Sequence, residues 1–144
     1  MEFVTLVLAA EEGEYPDIGE SSGPLEQWSG IEAPGLDTVK IATLHSLMTG
    51  DSLQDSLDLY EPIYVSESDT IVLRIADGFL ERLASIEEEG LESVASELVA
   101  TEEFEREHWD PEDVLTQLTA LAELAQLAES QGQLLFVWMY FVER

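Results

Sequence analysis

The sequence predicts an α+β fold, in which helices pack against a small mixed sheet. Apolar runs of strand length lie near the two ends of the chain, and amphipathic segments of helical period fill most of its second half. Strands and helices that follow each other in separate blocks are typical of α+β domains. The chain has 144 residues, of which 45% are hydrophobic, so residues 1–144 are interpreted as a single globular domain with its own core.

The first predicted element is a strand over residues 2–9. Apolar residues occupy both of its faces, with Val4, Leu6 and Leu8 on one and Phe3 and Val7 on the other. A strand of this kind is covered on both sides. The run is also too short for the apolar core of a secretory signal followed by a cleavage site.

A long connection follows, at residues 10–36. Glycine and proline recur through it at close spacing, at positions 13, 16, 19, 23, 24, 30, 34 and 35. This density predicts that no regular element longer than a turn fits there. Because loops of this length are usually functional or disordered, its two large aromatic residues, Tyr15 and Trp28, are candidates for contact with a partner or with the chain's own domain.

A helix is predicted from the capping residue Asp37 to about Met48, with Gly50 as its stop. A shorter helical turn through Leu53 and Leu57 follows.

Two β-rich runs, at residues 60–65 and 70–75, come next. The polar residues 66–69 between them have turn chemistry, which predicts a hairpin. Pro62 is expected to keep the first run at a sheet edge.

After these runs, the spacing of the apolar residues becomes that of a helix. Apolar stripes predict helices over residues 79–86 and 91–99, and a third helix from the cap Asp110 and Pro111 to Gln131. Gly132 ends that helix in the left-handed conformation. The last run, residues 133–142, is apolar on both faces, which predicts a central strand beside the N-terminal one. Its nine consecutive apolar residues are about half of the ~20 that a membrane-spanning helix needs.

The charge of the chain restricts its partners. There are 32 Asp and Glu residues against five Lys and Arg, a net charge of −27. Binding to nucleic acid or to an anionic membrane requires clustered basic residues, so both are excluded as predicted partners. The chain has no cysteine, which removes thiol chemistry and is compatible with a cytoplasmic protein.

No catalytic residue, metal site or cofactor is predicted. Phosphate-binding loops, dinucleotide fingerprints and nucleophile elbows have no match in the chain. Acidic runs such as residues 87–89 are typical of solvated helix faces, and no carboxylate stands out as an acid or base.

The two histidines are the first site candidates. His45 lies in the helix that starts at Asp37, and His108 follows Glu105 at the spacing of a metal-binding Glu-x-x-His motif. A di-metal site needs a second copy of that motif, which the chain lacks, so a solvated helix end is favoured for His108. For its neighbour Trp109, the favoured interpretation is a core anchor, and the alternative is a binding aromatic.

Arg74 is the remaining candidate, because it stands inside the apolar run 71–75. A charge at such a position needs a partner. The favoured interpretation is a strand residue that faces solvent or pairs with nearby acids, and the alternative is an anion-binding arginine in a cleft.

One segment resembles a known family. It opens with Leu36-Asp37 and Lys40 and closes with the run Leu44-His45-Ser46-Leu47-Met48-Thr49-Gly50. This segment is similar to the signature helix of the YfbM-like bacterial proteins, in which Leu-Asp-Lys-x-Trp leads to Leu-His-x-Leu-Leu-Thr-Gly. Lys40 is displaced by one position, and Ile41 stands where the family has Trp. The resemblance implies an α+β fold and a small cytoplasmic protein without an established activity, and it marks His45 as a site candidate.

The leading functional hypothesis is a non-enzymatic, inhibitor or immunity-type domain whose acidic surface binds a basic protein, since opposite potentials steer association. An alternative is a small-ligand-binding domain or enzyme with a cleft near His45, Arg74 and the loop that carries Tyr15 and Trp28. A third explanation is that the charge is an adaptation to a salt-rich solvent.

Overall fold

The computed structural model describes residues 2–67 and 69–142, with the side chains of Glu2 and Val142 outside the description. Its centre is a five-stranded sheet with the strand order β2-β1-β5-β4-β3. The strands are β1 (Glu2–Ala10), β2 (Ser29–Glu32), β3 (Tyr64–Val65), β4 (Thr70–Arg74) and β5 (Leu134–Val142).

Eight α-helices complete the described part of the chain. They are α1 (Tyr15–Glu20), α2 (Pro24–Gln27), α3 (Thr38–Thr49), α4 (Leu53–Leu59), α5 (Asp77–Ser85), α6 (Glu88–Val99), α7 (Glu102–Glu105) and α8 (Pro111–Ser130). The α+β prediction is confirmed. The strands from the two ends of the chain, β1 and β5, are both inner strands and lie side by side, as predicted, and they pair over nine residues from Glu2↔Val142 to Ala10↔Leu134.

All four strand pairings are antiparallel, whereas a mixed sheet was expected. The reason lies in the connections. The helices between β4 and β5 bring the chain back to the end of the sheet at which β4 finishes, so that β5 runs antiparallel to β4 and no parallel crossover is needed.

One face of the sheet carries the main core. The odd-numbered residues of β1 and β5, such as Val7, Leu135 and Val137, pack against α3, α5 and α8, and α6 packs on α3 and α8. The amphipathic stripes predicted in the second half of the chain supply this layer, with Phe79, Leu98 and Leu118 fully buried. The acids of those helices stand on the opposite, solvated side.

The other face is covered by the long connection, and here the prediction that no regular element longer than a turn fits is wrong. Residues 12–32 form a 3₁₀ turn (Glu12–Glu14), α1, α2 and the edge strand β2. Two of the prolines begin helices: Pro16 and Pro24 lie in the first turns of α1 and α2, where proline is favoured. Ile18 of α1 is fully buried against Leu8 and Phe136, so the connection closes a second, smaller core.

The predicted helix boundaries hold where capping residues define them. Asp37 accepts a hydrogen bond from the backbone N–H of Lys40 at 2.9 Å, and Gly50 ends α3 with φ of 85°. Asp110 caps α8, and Gly132 follows it with φ of 68°. The hairpin between β3 and β4 is also present, although β3 has only two residues and Ser68 of its predicted turn lies outside the described residues.

Candidate functional site

A cavity of about 490 Å³ lies where the chain enters α8. It is called the acidic cavity below, and its lining residues are Pro34, Glu107, His108, Trp109, Asp110, Asp113, Thr116 and Gln117. Three of these residues are carboxylates, and one is a tryptophan. Carboxylates beside an aromatic ring are the groups that recognise a lysine or arginine side chain.

The wall of the acidic cavity is held by a buried lysine. Lys40, 3% exposed, donates from Nζ to Glu107 Oε2 at 2.6 Å and to Asp37 Oδ2 at 3.1 Å. The contact joins the first turn of α3 to the segment before α8, 67 residues away in sequence. It therefore fixes the position of Glu107, and of the cavity wall, relative to the helical layer.

The protonation of this contact follows from its geometry. Burial by itself would lower the pKa of Lys40, but the hydrogen bonds to Glu107 and Asp37 outweigh it and raise that pKa above its usual 10.5. The hydrogen bond from Lys40 in turn lowers the pKa of Glu107 below its usual 4.5. Both groups are thus charged through the neutral range, and Lys40 is shared between Glu107 and Asp37. Asp110 and Asp113 have no basic partner within residues 2–67 and 69–142, so they add unpaired negative charge to the cavity.

Trp109 packs against the main core and also borders the acidic cavity. Its ring lies 5.0 Å from that of Phe104 in an edge-to-face arrangement, and its Nε1 donates to Glu107 Oε1 at 3.3 Å. Gly35, with φ of 80°, lies close to the same ring. A Cβ at this position would stand 3.0 Å from the Trp109 ring, so glycine permits the close contact. The ring is half-buried and also lines the acidic cavity.

His108 is exposed at the rim of the acidic cavity and has φ of 57°. This left-handed conformation is unusual for a residue with a side chain, and such residues concentrate at turns and functional sites. Within residues 2–67 and 69–142 no three His, Cys, Asp or Glu side chains are grouped so that they could hold a metal ion.

His45 lies elsewhere, in the core beneath α4. It is 2% exposed, its Nδ1 is 2.8 Å from Tyr60 Oη, and its Nε2 is 2.8 Å from Asp51 Oδ2. Burial raises the pKa of Tyr60 well above its usual 10, so the phenol keeps its proton. In the neutral imidazole, Tyr60 donates to Nδ1, Nε2–H donates to Asp51, and the backbone N–H of Ala76 donates to Tyr60 Oη at 3.3 Å.

This network occupies both ring nitrogens of His45. The hydrogen bond from His45 lowers the pKa of Asp51, which keeps that carboxylate charged as an acceptor. The four groups come from α3, the turn after it, the end of α4 and the residue before α5, so the network ties these elements together. Only His45 of the four was singled out by the sequence. Nothing in the spacing of Asp51 and Tyr60 marked them as its partners.

Arg74 lies at the end of β4, 36% exposed, with its guanidinium 3.1 Å from Asp77 and 3.5 Å from Glu12. The cavity that it lines, of about 360 Å³, also contains Glu81 and Glu129, so carboxylates surround this cation. His45 is not among the residues that line this cavity.

Tyr15 and Trp28 pack on the sheet face opposite the main helical layer. The Tyr15 ring lies 6.5 Å from that of Phe136, and Trp28 Nε1 donates to Glu14 Oε2 at 2.9 Å. Both residues thus anchor the connection to its own sheet.

In the described part of the chain, no helix has the length and apolar character needed to cross a bilayer.

No protein-family model, curated protein or solved structure matches the chain. Membership of the YfbM-like family therefore stays a prediction.

Proposed function

We propose that this chain is an acidic interaction domain of inhibitor or immunity type, which binds a basic protein partner through the acidic cavity and the carboxylates around it. Seven Asp and Glu residues lie between Glu102 and Asp113, the segment that leads into the cavity. A lysine or arginine of the partner would enter between Asp110 and Asp113, beside Trp109. The chain's lack of cysteine suits a reducing, cytoplasmic setting.

The observation that carries this proposal is the distribution of charge. Lys40, Arg74 and Arg106, three of the five Lys and Arg residues, are each paired with a carboxylate of the chain itself. Every carboxylate whose side chain is described remains at least partly exposed. The chain's own cations therefore leave most of the negative potential open to a partner, which accelerates association with a basic protein and disfavours other partners.

The alternative of a ligand-binding or catalytic cleft near His45 and Arg74 has less support. Both nitrogens of His45 are hydrogen-bonded, and Arg74 is paired with two carboxylates. An anionic ligand at Arg74 would have to displace them against the charge of Glu81 and Glu129.

The test is capture of a partner from native lysate, followed by binding measurements with the purified partner and two matched variants. Asp110→Asn/Asp113→Asn removes two charges from the acidic cavity, and Asn keeps the capping ability of position 110. Glu88→Gln/Glu89→Gln removes two charges from the start of α6, outside the cavity.

The cavity variant is expected to weaken binding of a basic protein by about tenfold or more, because each lost charge-assisted contact is worth about 1.5–3 kcal/mol. The α6 variant should bind nearly as tightly as the unaltered chain. Equal losses in both variants would mean that only overall charge matters, and would contradict a specific interface. Capture of no basic protein even at low salt would overturn the proposal.

A further inference from the structure

A second cavity, of about 380 Å³, lies on the sheet face opposite the main helical layer. It is called the face cavity below, and its wall includes Glu20, Ser21, Ser22, Thr70, Trp138 and Tyr140. None of its lining residues lines the acidic cavity, so the two sites are separate. Its volume falls in the range of about 300–1,000 Å³ that is typical of small-molecule sites.

One side of the face cavity is an exposed aromatic and aliphatic surface. Tyr140 is 37% exposed, and its ring lies 6.1 Å from that of Trp138 with an angle of 13° between the planes. Its partner on β1 is Val4, which is 44% exposed. Directly paired residues of neighbouring strands share one face of a sheet, so Val4 continues the surface that Tyr140 begins. A flat apolar group can pack on this surface.

The other side of the face cavity is negatively charged. Glu20 accepts a hydrogen bond from Tyr64 Oη at 2.5 Å. That hydrogen bond is the main reason that the pKa of Tyr64 is raised, and the charges of Asp17 and Glu67 add to the rise. All three carboxylates therefore act on the same side of the cavity. None of them forms an ion pair within residues 2–67 and 69–142, so their charge is not compensated there.

This charge distinguishes between classes of ligand. An anion such as a phosphate would be repelled by the three carboxylates and by the net charge of −27. A neutral ligand would gain only from packing on the aromatic side. A cation gains from both sides, because an ammonium group is attracted by the negative potential and by the face of an aromatic ring within about 6 Å.

We propose that the face cavity binds an organic cation with a flat apolar body, of the arylalkylamine type. The aromatic body packs on Tyr140 and Val4, and the ammonium group lies towards Glu20. A lysine side chain of another protein shares the ammonium group but has no flat body, so the test includes both. The site needs no basic protein partner and is independent of the acidic cavity.

The test compares three probes of similar shape that differ in charge. These are phenethylammonium chloride, the neutral 2-phenylethanol and the anionic phenylacetate. Each is titrated into the full chain in about 0.15 M NaCl, which screens long-range attraction. Backbone amides in a ¹H–¹⁵N NMR spectrum are the readout. Residues 19–22 and 138–140 report on the face cavity, and residues 88–92 at the acidic start of α6 report on general attraction of cations.

Phenethylammonium is expected to shift the cavity amides in a saturable manner, with an affinity about threefold or more above that of 2-phenylethanol. Phenylacetate and Nα-acetyl-lysine methylamide should both bind more weakly than phenethylammonium. Equal affinities of the charged and the neutral probe, or equal shifts of the α6 amides, would refute the proposal. Tighter binding of the lysine probe would refute the flat body of the ligand.

Three variants give an independent check. Glu20→Gln keeps an acceptor for Tyr64 and is expected to weaken phenethylammonium binding about threefold, while binding of 2-phenylethanol stays unchanged. Tyr140→Ala removes the exposed ring and should weaken binding of both probes. Glu92→Gln makes the same charge change on the exposed side of α6 and should alter neither. Equal effects of the two Gln variants, or a folded Tyr140→Ala variant with full affinity, would exclude the face cavity as the site.

Discussion

At the scale of single residues, two buried polar groups connect separate elements of the fold. Lys40 links α3 to Glu107, and His45 links Asp51 to Tyr60. Each lies next to a carboxylate that is about half exposed. Pairing satisfies the buried partner, while the exposed partner keeps much of its contact with water, so the desolvation penalty falls mainly on one side of each contact.

Glu107→Gln is expected to lower the free energy of unfolding at pH 7 by about 1–2 kcal/mol, because it leaves the buried Lys40 with Asp37 as its only carboxylate. The expected loss of unfolding free energy is small because half of the Glu107 side chain is exposed. Urea unfolding measures the change, and Glu105→Gln, at an exposed neighbouring position, should stay within about 0.5 kcal/mol of the unaltered chain.

The same ion pair predicts a pH window. The folded pKa of Glu107 is lowered, so its contribution is present above 4.5 and is lost as pH falls through the folded pKa. The folded pKa of Lys40 is raised, so its contribution is present below 10.5 and is lost as pH rises through the folded pKa. The stability difference between Glu107→Gln and the unaltered chain should therefore be greatest between these limits. An unchanged difference at pH 3 would contradict the pairing.

Tyr60→Phe is expected to destabilise the chain by about 1–3 kcal/mol, because it leaves His45 Nδ1 and the Ala76 N–H without their partner while it keeps the ring. Tyr140→Phe removes a hydroxyl from an exposed ring and provides the control. Equal effects of the two variants in urea unfolding would show that the buried network contributes nothing specific.

At the scale of elements, the packing of α1 against the sheet depends on Gly19. α1 lies against the ring of Tyr64 on β3, and a Cβ at Gly19 would stand 2.1 Å from that ring. The ring cannot move away cheaply, because its hydroxyl is bonded to Glu20. Close approach, and not a turn, is therefore the reason for this glycine.

Gly19→Ala is expected to lower the free energy of unfolding by about 1–3 kcal/mol through overpacking, although alanine is the better helix former. Gly78→Ala, in the first turn of α5 with open space around it, should instead raise stability by up to about 1 kcal/mol. Opposite signs in thermal unfolding would support the packing of α1 on β3. Stabilisation by both would contradict it.

At the scale of the whole molecule, the charge of −27 is distributed around the fold. The helices bury their apolar stripes against the sheet and present their acids to solvent. Mutual repulsion of so many exposed carboxylates weakens the compact state, and dissolved salt screens it.

The thermal midpoint should therefore rise by several degrees as NaCl increases from about 0.01 M to about 1 M, where the Debye length falls from about 30 Å to about 3 Å. Glu88→Gln/Glu89→Gln, which has less repulsion to screen, should show a smaller rise. A midpoint that does not respond to salt would mean that repulsion is negligible in the folded chain.

Local signals in the sequence determined most of the fold. The apolar runs 2–9 and 133–142 gave the inner strands, and Asp37, Gly50, Asp110 and Gly132 gave helix ends, because capping and left-handed glycines act within a few residues. The same signals were misleading at residues 11–35. Pro16 and Pro24 indicate interruptions of regular structure, yet each lies in the first turn of a short helix. Such short helices become stable only through tertiary contacts, here the burial of Ile18 on the sheet.

The sites depended on the tertiary structure. His45, Arg74 and Trp109 were visible as residue types, and some of their partners are local, such as Asp77 for Arg74. Their other partners Tyr60, Glu12 and Gly35 lie 15 to 74 positions away, and no local pattern encodes such pairings. The face cavity is likewise a product of the folded sheet, since its wall combines the end of α1 with β4 and β5. The sequence by itself determined the α+β class and the acidic surface, since both follow from local periodicity and composition. Only the folded chain decided which polar groups are paired, because that depends on which distant elements the sheet brings together.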